Sequence, residues 1–123
     1  MSDIYQRIYQ SKKMTAADAM GLVENGDLIS VPTGVGEPPT LLTALSEQRQ
    51  HFHGVTVAQI LPLRKYAYLD PETVDHVRHL AFFFGGASRA GGQEGWIDYL
   101  PSYFSEMPSL IKNRQIRVDV VFT

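Results

Sequence analysis

Two glycine-rich stretches, each directly following a run of apolar, strand-forming residues, constrain this chain more than any other feature. The first run, Leu28-Ile29-Ser30-Val31-Pro32, leads into Thr33-Gly34-Val35-Gly36-Glu37-Pro38-Pro39. The later one, His79 to Phe84, leads into Gly85 to Gly95, where five of eleven residues are glycine. Between them, Val55-Thr56-Val57-Ala58-Gln59-Ile60-Leu61 is β-branched and largely apolar, the pattern of a strand covered on both faces. Helical patterns alternate with these runs. Thr15 is placed to cap a helix, with Asp18 at its third position and Ala16, Ala19, Met20 and Val23 at helical spacing before Asn25-Gly26 closes it. Thr40 opens a second amphipathic helix, with Leu41, Leu42, Ala44 and Leu45 on its inner face, running to about Gln50. Pro71-Glu72-Thr73-Val74 reads as a short helical turn with proline first. A further helix is expected across Tyr103 to Asn113, distorted or restarted at Pro108, and a last strand from Ile116 to Phe122.

Strand, loop, helix, strand in this order predicts an α/β domain with a mainly parallel sheet. Right-handed crossovers then place both glycine-rich loops on one edge, at the C-terminal ends of the strands. Open α/β sheets bind their ligands at that edge.

Composition narrows the chemistry by exclusion. With 123 residues the chain has the size of one domain, large enough to bury a real core. It has no cysteine, which removes disulfides, thiolate nucleophiles and Cys-ligated zinc. A formal charge of −2 supplies no field toward nucleic acid or a membrane surface, and no basic stripe accompanies the aromatics Tyr99, Tyr103 and Phe104. The longest apolar stretch, Leu80 to Phe84, is far short of a membrane span, and the start carries an early acid without an apolar leader. A cytoplasmic protein without nucleic-acid or membrane partners is the expectation.

The first loop lets backbone approach a ligand closely at Gly34 and Gly36. Its amides, with the helix start at Thr40, can hold a phosphate, a carboxylate or a thioester oxygen; a plain tight turn has the same pattern. The dinucleotide fingerprint fails because position 39 is proline, and no Gly-Lys-Ser/Thr follows for a P-loop. In the second stretch Arg89 suits a carboxylate or phosphate, and a solvated arginine fits equally. The histidines are not arranged as metal ligands: His51 and His53 flank Phe52, and His76 and His79 are three apart without a carboxylate set. The acids Glu37, Glu94 and Asp98 fall in or near loops and read as solvated.

The ordered set of segments carries more than any one of them. Lys12-Lys13, Thr15-Ala16-Ala17-Asp18-Ala19, Asn25-Gly26-Asp27, Gly34-Val35-Gly36-Glu37-Pro38 and Leu41-Leu42-Thr43-Ala44-Leu45 come first. Phe84-Gly85, Arg89, Gly95, Asp98-Tyr99-Leu100-Pro101 and Arg117-Val118-Asp119-Val120-Val121 follow. From about Tyr5 to Phe122 the chain resembles the N-terminal half of the acetyl-CoA hydrolase/transferase family, which includes 4-hydroxybutyrate CoA-transferase-like enzymes. The resemblance implies a three-layer αβα arrangement, the N-terminal half of the CoA-transferase fold. It implies CoA transfer between short carboxylic acids through a glutamyl-CoA thioester, with a coenzyme A thioester as substrate and no permanently bound cofactor. Gly34, Val35, Gly36 and Pro38 match the family's glycine-proline loop at the acyl and thioester end of the site. Gly85, Gly86 and Arg89 match a second stretch of site wall, while Tyr99 and Pro101 match a structural pattern.

The nucleophilic glutamate belongs to the family's second half, and neither Glu37 nor Glu94 matches its context. Residues 1–123 are therefore expected to be the N-terminal portion of such an enzyme, with no catalytic residue of its own and no activity alone. A fragment, a homo-oligomer or association with the remaining half follows as the expectation. The alternative is a phosphate- or nucleotide-binding α/β module without catalysis.

Overall fold

A computed structural model describes residues 2–123; Met1 lies outside the described residues. Five strands form one sheet: β1 (Leu28–Ser30), β2 (Val55–Gln59), β3 (Val77–Ala81), β4 (Ile97–Tyr99) and β5 (Val120–Val121). Their order is β4-β3-β2-β1-β5, and every pairing is parallel. Register runs Ile29 to Val57, Val57 to His79, and His79 to Ile97, one row across four strands.

Helices lie on both sides of this sheet, giving the three layers. On one face, α2 (Ala16–Ala19), α3 (Pro39–Glu47) and α4 (Arg89–Glu94) cover the main core. Here Met20, Ile29, Leu42, Leu45, Val55, Val57, Val77 and Ala81 are fully buried. Each such side chain stabilises the fold by ~1.5–3 kcal/mol relative to exposure. On the other face, α5 (Met107–Lys112) and the chain around Ile116 and Val118 cover a smaller cluster built on Ala58 and Phe82.

Local chemistry accounts for the boundaries. Thr15 caps α2: its hydroxyl oxygen accepts from the Asp18 amide at 3.1 Å and its hydroxyl donates to the Asp18 carboxylate at 2.7 Å. The helix then tightens into a 3-10 turn at Met20–Leu22. Pro71–Thr73 forms the expected short turn. Pro108 stands in the first turn of α5, after a separate 3-10 turn at Phe104–Glu106, so the expected single helix from Tyr103 is restarted there.

Four features differ from the sequence reading. An additional helix, α1 (Ser2–Lys12), opens the described chain, with Ile4, Tyr5, Ile8 and Tyr9 exposed. The second glycine-rich stretch is not an open loop but contains α4. Ile97–Tyr99, three residues long, is a strand in its own right. The last strand pairs only through Val120 and Val121 and lies at the outer edge beside β1.

Candidate functional site

Because every strand runs the same way, the chain leaves β1, β2 and β3 at one edge of the sheet, as expected. After β1, residues Gly34–Gly36 wind into a single 3-10 turn. Gly34 stands at φ 60°, the left-handed region that a β-carbon disfavours. The Gly36 amide donates to Thr33 O at 3.2 Å and the Glu37 amide to Gly34 O at 3.1 Å. The amides of Gly34 and Val35, which begin the turn, find no acceptor among the described residues. Val35 is fully exposed. Pro38 and Pro39 come next, and α3 begins at Pro39, so two backbone donors are missing at the end where an anion would seek them.

Glu37 departs from the sequence reading most. Read there as a solvated acid, it is buried, at 9% exposure. One carboxylate oxygen accepts from Gln59 Nε2 at 2.8 Å and from the Leu63 amide at 3.1 Å; the other accepts from the Tyr66 hydroxyl at 2.9 Å. No cationic side chain pairs with it among the described residues. Burial, reinforced by the neighbouring carboxylate, pushes the Tyr66 hydroxyl up to about 12, so it remains a donor. Gln59 also donates to Pro32 O at 2.9 Å. Its one amide group therefore holds residues on both sides of the glycine turn.

The polar chain continues inward. Tyr66 stacks on Tyr68 at 6.0 Å between ring centroids, and the Tyr68 hydroxyl lies 3.4 Å from His79 Nδ1. Tyr68 and His79 are both fully buried. Burial raises the Tyr68 hydroxyl and holds His79 near 4, a neutral imidazole at ordinary pH. Neither His79 nor His76 ligates anything: His76 Nδ1 lies 2.7 Å from Phe52 O, and the described residues contain no cluster of three metal-ligating side chains.

The second glycine stretch approaches the first through Leu61. The Thr33 hydroxyl donates to Leu61 O at 3.1 Å, while a β-carbon on Gly85 would collide with the Leu61 side chain. Gly85 and Ser88 close a tight turn, with the Gly85 amide donating to Ser88 Oγ at 3.2 Å. Gly86 is exposed with open space where a β-carbon would stand, and Arg89 is an exposed residue at the start of α4 with no ion pair among the described residues. Of the other acids, Asp98 is not free. It pairs with Arg78 of the neighbouring strand, whose guanidinium holds its carboxyl below the usual range, and Glu94 is exposed.

The sequence reading thus found the turn and its neighbouring stretch but missed Gln59 and Tyr66. The one signal available was a glutamine inside an otherwise apolar strand, which requires a buried partner.

A parallel three-layer domain with a glycine-proline turn at the strand ends defines a ligand-binding α/β class. The chain belongs to the acetyl-CoA hydrolase/transferase family: the model of that family's N-terminal domain matches residues 2–122. It is 34% identical over 116 residues to 4-hydroxybutyrate coenzyme A transferase of Clostridium kluyveri, covering 94% of this chain and 27% of that protein. It is 32% identical over 109 residues to succinyl-CoA:cyclohexane-1-carboxylate CoA transferase of Geobacter metallireducens, covering 89% and 25%. Among solved structures, RipA from Yersinia pestis superposes with a TM-score of 0.81 at 25% identity, over 94% of this chain and 29% of that one. The chain spans about a quarter of the length of the curated relatives it matches.

Proposed function

We propose that this chain is the N-terminal part of a CoA-transferase that moves CoA between short carboxylic acids, of the acetyl-CoA and 4-hydroxybutyrate class. The family match across residues 2–122 carries this reading. In the proposed reaction a glutamate from outside these residues attacks the acyl-CoA carbonyl. The C–S bond breaks, giving an acyl-glutamyl anhydride and CoA thiolate. The thiolate then attacks the glutamyl carbonyl, releases the donor acid and leaves a glutamyl-CoA thioester, from which the acceptor acid takes CoA by the reverse steps. The substrate is the CoA thioester, and no permanently bound cofactor is involved.

Within this chain the proposed substrate contacts are Gly34, Val35, Gly36 and Pro38, with Gly85, Gly86 and Arg89 on the adjoining wall. The two free amides of the turn suit a thioester carbonyl whose oxygen gains charge as it becomes tetrahedral. The exposed apolar residues of α1 and the open outer edge of β5 support association with further protein, either the remainder of the enzyme or a second copy.

The decisive experiment pairs ligand titration with a transfer assay on the purified chain. Thermal stabilisation by acetyl-CoA is expected, with none by NAD or ATP. Stabilisation by NAD or ATP but not by CoA compounds would replace this reading with a nucleotide-binding module. No CoA transfer from acetyl-CoA to 4-hydroxybutyrate is expected, and measurable transfer would overturn the assignment of the nucleophile to residues outside the chain.

A further inference from the structure

We propose that Glu37 is the positioning residue of the glycine turn: its carboxylate clamps the turn onto Gln59 and the Leu63–Tyr66 segment. Intact, the clamp holds the Gly34 and Val35 amides aimed outward together. The role given to those amides rests on the thioester reading above.

Charge is the first argument. Burying a carboxylate without a cation is costly, and packing alone would be served better by an uncharged side chain of similar volume. Glu37 is buried, lacks an ion-pair partner among the described residues, and is instead satisfied by three neutral donors. Such an arrangement fixes geometry rather than adding net attraction.

Connectivity is the second. The three donors come from two places, the last residue of β2 and the segment just beyond it. Gln59 bonds Pro32 and Glu37 at once, bracketing residues 33–36 between two fixed points. Inside the bracket the turn has only two hydrogen bonds of its own, a left-handed glycine and a fully exposed valine. A three-residue 3-10 turn is weak by itself. Its shape therefore depends on what holds its ends, and Glu37 is the end with the most bonds.

The test uses the 123-residue chain, by nitrogen-15 relaxation and by titration with butyryl-CoA and free CoA. In Glu37→Leu the backbone order parameters of Val35 and Gly36 should fall from about 0.85 to below about 0.6, with β2 and β3 unchanged. Butyryl-CoA affinity should fall at least roughly tenfold while free CoA affinity changes less than about twofold. Glu37→Gln should restore both, since its carbonyl can serve Gln59 and Leu63 while the Tyr66 hydroxyl rotates to accept from its amide. Unchanged order parameters in the turn, or loss spread across β2 and β3, would overturn the clamp. If Glu37→Leu does not fold, Tyr66→Phe decides: a smaller loss confined to the turn supports the clamp, and no loss overturns it. Wild-type turn amides that ignore butyryl-CoA would overturn the thioester reading, while the order parameters still decide the clamp.

Discussion

The two glycine-rich stretches look alike in sequence and use glycine for opposite reasons. Around Gly34 there is open space: a β-carbon would meet nothing within 4 Å, and the constraint is the positive φ. Around Gly91 and Gly92 there is none. A β-carbon on Gly91 would stand 2.5 and 2.6 Å from Ile97 and 2.7 Å from Trp96, and one on Gly92 would enter the Phe84 ring. One stretch leaves backbone accessible, and the other lets a helix sit directly on the sheet. The same residue type therefore marks access in one place and close packing in the other, and only the neighbours distinguish them.

Exchanging glycine for alanine should separate the two most sharply at Gly91. The site is fully buried and its neighbours include Ile97, itself buried, so relief requires α4 to lift. Gly91→Ala is expected to cost about 3 kcal/mol, the upper end for overpacking, read as a lower urea midpoint with unchanged slope. A loss under about 1 kcal/mol would mean that α4 is loosely held, and the contrast would collapse.

Gly34→Val inverts the logic, because the penalty there is conformational. Holding a β-branched residue at φ 60° costs ~1–2 kcal/mol, while asparagine tolerates the region far better. Gly34→Asn should therefore keep most of the stability that Gly34→Val loses. Equal losses in both variants would show that crowding, not φ, governs the turn.

The packed side should also be the acid-sensitive one. Ile97, against which Gly91 packs, is the register partner of His79. Burial holds His79 near 4 when folded, below the ~6.5 of an unfolded histidine. As pH falls, the unfolded chain takes the proton first, so stability declines from about pH 6.5 to about pH 4 and levels off below that. By pH 5.5 the loss from this residue is about 1 kcal/mol. His79→Gln should flatten that part of the pH dependence in denaturant titrations at pH 7.5, 6.5 and 5.5. An unaltered slope would remove His79 as its source.

How much of this could be read from the sequence follows the same division between local and distant causes. Cores of strands β1, β2 and β3, the Thr15 cap and the restart at Pro108 rest on patterns within a few residues, and each was legible. Glu37 was not, because its donors lie 22, 26 and 29 residues away and its local context is a polar turn. Nor was α4: two adjacent glycines are poor helix formers, and what favours helix there is contact with Phe84, Trp96 and Ile97. β4 is three residues long, too short for alternation to register, and is held by pairing with β3. The site was therefore readable as a place on the sheet edge, but not as a set of contacts.

Gly86 offers the smallest effect and the strictest control. It belongs to the second stretch by sequence, yet it is exposed and a β-carbon there meets nothing within 4 Å. Its φ lies outside the left-handed region. Neither of the two reasons for glycine applies, so Gly86→Ala should change stability by less than about 0.5 kcal/mol, or raise it slightly by restricting the unfolded chain. If the variant also leaves acyl-CoA affinity unchanged, Gly86 drops out of the proposed site wall while Gly85, pressed against Leu61, keeps its packing role. If affinity falls several-fold at constant stability, the open space beside Gly86 is where the substrate lies. The second stretch would then combine both uses of glycine within one turn of chain.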